Sequence, residues 1–66
     1  MTRNYLSGSI KKALAIIECV AKSPKPLKAS QVASITKLDR ATAFRILTYL
    51  TSLGYVFKDT SNNLYT

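Results

Sequence analysis

The sequence predicts a mainly α-helical domain with a small β-hairpin, the architecture called a winged helix-turn-helix. Three observations predict it: two helical segments joined by a tight turn at 29–36 and 40–53, a further helical segment before them, and β-prone and turn-forming residues after Gly54. The 66 residues allow one small domain. We expect that domain to cover residues 9–66 and a flexible N-terminal arm to cover residues 1–8.

The first helix is predicted to start after Ser9, a favoured N-cap residue, and to end before Pro24. Its apolar residues recur at spacings of three and four and are expected to face the core: Ile10, Ala13, Leu14, Ile17, Val20 and Ala21. Ile16 lies about 100° from the centre of this stripe, beside Ala15 and Cys19. This second strip predicts either a wide core face or a contact with a partner.

The second and third helices are each predicted to bury one side. Leu27 is expected to pack inward as a minimal strand, and Val32 and Ala33 to face the core from the second helix. Asp39 is predicted to cap the third helix with its carboxylate. The buried stripe of the third helix is expected to contain Ala43, Ile46, Leu47, Leu50 and Leu53. Phe44 is predicted at the flank of this stripe, whereas an exposed Phe44 would mark an interface.

The residues after the third helix predict a hairpin. Gly54 fits the left-handed position that ends a helix. Residues 55–57 are β-prone, residues 59–63 are rich in turn-forming side chains, and residues 64–66 can return as a second strand. A hairpin in this position is the wing of a winged helix-turn-helix.

The charge of the chain indicates a polyanionic partner. Ten lysines and arginines outnumber three acidic residues, which gives a formal net charge of +7 and an isoelectric point near 9.9. Nucleic acid is the first expectation for such a small basic domain, and a membrane surface is the second. No stretch approaches the ~18 apolar residues of a membrane span, and the first residues lack the apolar segment of a signal peptide. We therefore expect a cytoplasmic protein without membrane contact.

The chain has too few reactive groups to predict an enzyme. It contains no histidine, a single cysteine (Cys19), scattered carboxylates and no glycine-rich phosphate loop. One cysteine without histidine also excludes a zinc site of the usual kind. We predict no catalytic residue, no metal, no cofactor and no small-molecule ligand within this chain.

Several short motifs follow one another from the first helix to the wing. They are A-L-A-I in the first helix, P-L before the second, V-A within it, R-A-T-A-x-R-I-L in the third, and L-x-x-L-G-Y-V at its end. In this order, over roughly residues 9–66, they resemble the N-terminal DNA-binding domain of the IclR family of bacterial transcription regulators. The wing departs from the family pattern at 61–63, where a glycine is common, and at Thr66, where a leucine is usual.

The resemblance implies a larger protein and a paired mode of binding. Members of the family carry a linker helix and a larger C-terminal domain that senses a small molecule, so we expect this chain to be a fragment of a longer regulator. They also tend to associate through the first helix and to bind paired half-sites in double-stranded DNA. For this chain the resemblance implies a homodimer, with Ile16 and Cys19 as candidate contacts.

Four residues of the third helix are predicted to contact DNA: Arg40, Thr42, Arg45 and Tyr49. An arginine can donate two hydrogen bonds to a guanine, and a threonine offers its hydroxyl or its methyl group. By resemblance to the family, Thr42 and Arg45 are expected to contact bases or adjacent phosphates. Tyr49 is expected to pack half-buried and to contact a phosphate with its hydroxyl rather than to read a base. The alternatives are a phosphate-only contact or an intramolecular pair for Arg45 and a solvated charge for Arg40.

Phosphate contacts are expected on both sides of the third helix. The start of the second helix favours an anion because its amides are free and its dipole is positive there. The candidates are Lys28, Ser30 and Gln31 at that start, Lys37 in the turn, and Lys58, Asn62 and Asn63 in the wing. Lys11 and Lys12 of the first helix are weaker candidates. The alternative for each is a solvated surface residue.

The rival prediction is a winged-helix module that binds an acidic protein partner. In that case the third helix would be occluded and the basic surface would meet the partner instead of DNA. The basic third helix, with little acidic surface, favours DNA. Whether the outer side of this helix is open to water therefore discriminates between the two predictions.

Overall fold

The computed structural model describes residues 8–66, which form three helices and three short strands. In chain order these elements are α1 (Gly8–Lys22), β1 (Leu27–Lys28), α2 (Ala29–Thr36), α3 (Arg40–Ser52), β2 (Lys58–Asp59) and β3 (Leu64–Tyr65). The order confirms the predicted fold class, a mainly helical domain with a hairpin. The predicted N-terminal arm lies outside the described residues, except for Gly8, which belongs to α1.

The three strands form one antiparallel sheet in the order β1-β3-β2. Tyr65 of β3 lies opposite Leu27 on one side and opposite Lys58 on the other. Because Leu27 and Tyr65 are both buried, the sheet fastens the wing hairpin to the start of the helix-turn-helix. Leu27 is thus the inward-packing minimal strand that the sequence predicts.

The core draws residues from all three helices and from the segments beside them. Its buried members are Ile16, Val20, Leu27, Val32, Ala33, Ala43, Leu47, Leu50, Val56 and Tyr65. Each helix contributes only one side, as the three- and four-residue spacings predict. The core is small, so each of these side chains carries a large share of the stability.

The buried side of α1 differs from the prediction. Ile16 is 0% exposed, whereas Ile10 and Leu14, predicted to be core residues, are 49% and 45% exposed. At about 100° per residue the apolar face of α1 spans roughly 160°, and its neighbours cover only the edge that contains Ile16. The pattern gives the width of this face but does not select which edge packs. Ser9 already lies inside α1, so its prediction as the N-cap is wrong.

The end of α3 and the start of the wing also differ from the prediction. Gly54 takes the expected left-handed conformation, with φ of 88°, but Leu53 is exposed. The backbone amides of Tyr55 and Val56 both donate to the carbonyl of Leu50, so the chain remains folded against the helix end. The first wing strand therefore begins at Lys58 rather than at residue 55, and Val56 alone of residues 55–57 is buried.

Replacing Ile16 by alanine is expected to lower the free energy of unfolding by about 2–5 kcal/mol, because a fully buried side chain is removed. Leu14→Ala removes an isomeric side chain that is nearly half exposed, so it should cost roughly half as much or less. Urea unfolding followed by circular dichroism measures both. Equal losses, or a larger loss for Leu14→Ala, would contradict the observed burial of α1.

Candidate nucleic-acid interface

The turn between α2 and α3 is held by backbone hydrogen bonds. The amide of Leu38 donates to the carbonyl of Ala33 at 3.0 Å, and the amide of Lys37 donates to the carbonyl of Ser34 at 3.3 Å. Lys37 itself is left-handed, with φ of 61°, which reverses the chain between the two helices. Leu38 then packs partly buried against the core. The turn fixes where α3 starts relative to α2 and leaves the Lys37 side chain exposed.

Asp39 caps α3, as the sequence predicts. Its carboxylate accepts a hydrogen bond from the Thr42 amide at 3.1 Å and one from the Thr42 hydroxyl at 2.6 Å. These two bonds, aided by the charge of Arg45, hold the pKa of Asp39 below its ordinary value. The hydroxyl proton of Thr42 is thereby engaged, so the methyl group and the remaining lone pair of Thr42 are what it can offer to a ligand.

The outer side of α3 is open to water. Its buried side consists of Ala43, Leu47 and Leu50; Arg45 is exposed on the opposite side, and Arg40 is exposed in the first turn, nearer the buried side. Other exposed residues on this helix are Ala41, Phe44, Thr48, Tyr49 and Ser52. Thr42 is half-buried at the margin. Sequence reasoning missed Ala41 and Thr48, although their position opposite the core stripe was a usable signal.

The N-terminal part of α1 lies alongside this outer side. A groove between α1 and α3 is lined by three of the predicted contact residues and by three residues of α1, which are Thr42, Arg45, Tyr49, Ser9, Lys12 and Ala13. The structure thus brings Lys12 to the same groove as Arg45. Lys12 is only a weak candidate by sequence, because the packing of α1 against α3 is a tertiary contact that spacing alone does not specify.

A second groove joins the start of α2 to the wing. It is lined by the predicted residues Lys28, Ser30, Lys58, Asn62 and Asn63, together with Phe44. Gln31 does not line this groove; its side-chain oxygen accepts from the Lys28 amide at 2.8 Å and so helps to cap α2. Lys37 lines neither groove. The structure therefore gathers five of the seven predicted phosphate contacts and leaves Gln31 and Lys37 outside.

The wing tip is closed by its own side chains. The Asp59 carboxylate accepts from the amide and the hydroxyl of Ser61, and these bonds lower the pKa of Asp59 below its ordinary value. Asn62 accepts from the Leu64 amide at 3.1 Å through its side-chain oxygen, so its NH₂ group is the part left for a ligand. Asn63 takes a left-handed φ of 59°. Asn63 thus takes a conformation that glycine adopts without strain and that asparagine tolerates.

The predicted partner strip on α1 is only partly at the surface. Ile16 is fully buried, so its prediction as a dimer contact is wrong. Cys19 is half-buried, and burial raises the pKa of its thiol. It lies in a shallow groove between α1 and α2, with Glu18, Lys22 and Ile35 among its neighbours. The large apolar residues of α1 that face water are Ile10 and Leu14.

Neither a membrane-spanning helix nor a metal-binding cluster occurs among residues 8–66. Within residues 8–66, no helix combines the length and the hydropathy needed to cross a membrane. Over the same residues, histidine, cysteine and carboxylate side chains nowhere gather in groups of three or more that could hold a metal ion.

A helix-turn-helix followed by a hairpin defines the winged helix-turn-helix class of DNA-binding domains. The model of one such family, described as the IclR helix-turn-helix domain, matches residues 9–60. The chain therefore belongs to the IclR family, as its motifs predict, and it is a DNA-binding domain of the transcription-regulator type rather than an enzyme.

A solved structure has the same fold. It is the crystal structure of an IclR family transcriptional regulator from Brucella abortus, which matches with a TM-score of 0.86 and 23% sequence identity. The match covers 97% of this chain and 25% of that chain, so this chain spans about a quarter of the length of that regulator. None of the curated protein sequences compared with the chain matches it significantly.

Acid is expected to weaken the domain through the Asp39 cap. Because the folded pKa of Asp39 is lowered, its contribution to stability is complete above the ordinary value of 3.8 and is lost as the pH falls through the folded pKa. Asp39→Asn keeps a good N-cap without a titrating group. Its free energy of unfolding should fall less than that of the wild type between pH 6 and about pH 3.

Urea unfolding at a series of pH values measures this difference. Asp59→Asn should also lose less stability in acid, because the pKa of Asp59 is lowered as well although its carboxylate caps no helix, so the series measures the two contributions separately. An Asp39→Asn variant whose stability falls as steeply in acid as that of the wild type would contradict the capping role.

Proposed function

We propose that this domain binds double-stranded DNA in a sequence-specific manner as the DNA-binding part of an IclR-like transcriptional regulator. In the proposed complex α3 enters the major groove, and the wing rests on the sugar–phosphate backbone or in the minor groove. The observation that carries the proposal is the uncovered outer side of α3, which presents Arg40 and Arg45 to water. The rival proposal, a protein-interaction module, requires an occluded α3. Residues 8–66 leave the outer side of α3 exposed.

The distribution of charge supports the same proposal. The only carboxylate on α3 or its cap is Asp39, and that carboxylate is engaged by Thr42. On the wing, Asp59 is likewise engaged by Ser61. Both carboxylates keep their negative charge, but they are outnumbered by the exposed Arg40, Arg45, Lys28 and Lys37 and by the half-buried Lys58. This arrangement leaves an electropositive surface for phosphates.

The proposed roles follow from chemistry and position. Arg45 reads a base edge, with Thr42 beside it offering a methyl group, and Arg40 contacts a base or the adjacent phosphate. Tyr49 donates its hydroxyl to a phosphate. Phosphate contacts come from the second groove, which contains Lys28, Ser30, Lys58, Asn62 and Asn63. Gln31 and Lys37 are kept as flanking candidates.

A homodimer on paired half-sites is part of the proposal, but its contact residues differ from those that the sequence suggested. Ile10 and Leu14 lie four residues apart, so they share one side of α1, and both are exposed. We propose this surface, rather than Ile16, as the contact between two copies. Sedimentation with a duplex that carries two half-sites tests it, and Leu14→Glu should reduce the stoichiometry from two domains per duplex to one. Unchanged stoichiometry in Leu14→Glu would contradict the contact.

Arg45→Ala is expected to weaken binding to a selected duplex by about 1–3 kcal/mol, because a bidentate contact to a base is lost. The duplex is first selected from a random library by the wild-type domain. Fluorescence anisotropy then gives the dissociation constants for that duplex and for a random one. Binding to the random duplex should change much less, because base contacts supply specificity and phosphate contacts do not.

Two variants serve as controls for Arg45→Ala. Lys28→Ala should weaken both duplexes by a similar factor and reduce the salt slope by about 0.9, since one phosphate contact is removed. Lys22→Ala removes a charge from the groove between α1 and α2, away from the proposed interface, and should change neither value much. An Arg45→Ala variant that keeps its preference for the selected duplex would remove Arg45 from base reading.

A further inference from the structure

Phe44 is an exposed aromatic side chain on α3. Sequence spacing predicts it at the flank of the core, but its side chain is 51% exposed, one residue from the buried Ala43. Arg40 and Thr48, one turn before and after it on α3, are exposed on the same side. A large apolar ring on the outer side of this helix gives up part of the stabilisation that burial would provide. A contact with an apolar group of a ligand would recover part of this stabilisation.

The surroundings of the ring are polar and cationic. The Lys58 ammonium of the wing lies 5.9 Å from the centroid of the Phe44 ring and 5.6 Å from that of Tyr65. Phe44 also lines the groove that holds Lys28 and Ser30 at the start of α2. The ring of Phe44 therefore projects from α3 toward two sets of candidate phosphate-binding residues, one at the start of α2 and one on the wing. A ligand that presents an apolar group close to its own phosphates would complement this surface.

We propose that Phe44 determines sequence specificity by contacting the C5 methyl group of a thymine in the major groove. The inference rests on the proposed function, because it requires α3 to lie in that groove. Among the groups that the four bases expose there, the thymine methyl is the apolar one, and phenylalanine is among the side chains suited to it. Against the other bases the ring would desolvate hydrogen-bonding groups and offer them no partner.

Lys58 has a supporting part in this arrangement. Its position over the ring leaves the ammonium within reach of the backbone phosphate beside the base that Phe44 contacts. The cation–π contact also favours one placement of the ring in the free domain, which reduces the cost of ordering it on binding. Phe44 and Lys58 together would read one base pair at the wing-facing side of α3.

Deoxyuridine substitution tests the proposal, since uracil lacks only the C5 methyl group of thymine. Each thymine of the duplex selected by the wild-type domain is replaced in turn, and the dissociation constant is measured by fluorescence anisotropy at fixed salt. At one thymine in each half-site the replacement should weaken wild-type binding about fourfold, the equivalent of one buried methyl group. In Phe44→Ala the same replacement should have no effect, and in Phe44→Leu it should retain part of its effect.

Phe57→Ala is the matched control. Phe57 is 67% exposed, and because side chains alternate along an extended strand it points away from the side on which Lys58 meets Phe44. This variant should keep the full fourfold effect of deoxyuridine. Thermal unfolding of the three variants checks that each remains folded at the temperature of the binding assay.

Three outcomes would overturn the inference. In the first, no thymine of the selected duplex shows the effect with the wild-type domain. In the second, Phe44→Ala keeps the effect. In the third, Phe44→Ala weakens the selected and random duplexes equally, which would assign the ring to the sugar–phosphate backbone. A wild-type domain that prefers no duplex at all would contradict the proposed function and, with it, this inference.

Discussion

The one-sided burial of α3 is the constraint on which the rest of the structure depends. Ala43, Leu47 and Leu50 lie in the core together with Val32 and Ala33 of α2. The small alanines let the two helices approach closely, and the turn between them is fixed by its own backbone hydrogen bonds. Rotating α3 about its axis would bury arginines without partners, which is costly. The orientation of its outer side is therefore set by packing before any ligand is present.

The acidic side chains near that surface have local structural roles. A basic domain that binds a polyanion loses attraction wherever a free carboxylate faces the ligand. Here the carboxylate of Asp39 holds the start of α3, and that of Asp59 holds the wing turn. Both acidic groups thus stabilise the elements that present the cations. The remaining acidic residue, Glu18, lies in the groove between α1 and α2. The carboxylates remain charged, and the arginines and lysines dominate because they outnumber them, ten to three in the whole chain.

Much of the fold could be predicted from the sequence because the signals are local. The spacing of apolar residues, the cap at Asp39 and the glycine at position 54 each depend on a few neighbouring residues. The cap and the glycine agree with the structure, and the spacing identifies the buried Ala43, Leu47 and Leu50 of α3. The buried edge of α1, the exposure of Leu53 and the later start of the wing depend on contacts between elements. The exposed position of Phe44 belongs to this second group. Its ring fits the flank of the stripe by spacing, but no other element covers it.

The same division applies to the candidate interface. The residue types of the contacts and their placement on the second helix, the third helix and the wing follow from motifs and spacing. The grouping of these residues in space does not follow from motifs and spacing. The structure joins Lys58 to Lys28 and Ser30 in one groove, adds Lys12 to the groove of Arg45, and gives Gln31 a capping bond instead. These pairings arise from the packing of α1 and the wing against the helix-turn-helix, which is a property of the whole domain.

The central claim is that the outer side of α3, flanked by the start of α2 and the wing, is the surface that meets DNA. Titration of the ¹⁵N-labelled domain with duplex DNA, followed by amide chemical shifts, tests it most directly. The claim predicts that the largest shift changes cluster on Arg40–Tyr49, on Lys28–Gln31 and on the wing around Lys58. Changes confined to the groove between α1 and α2, around Cys19 and Ile35, would contradict it.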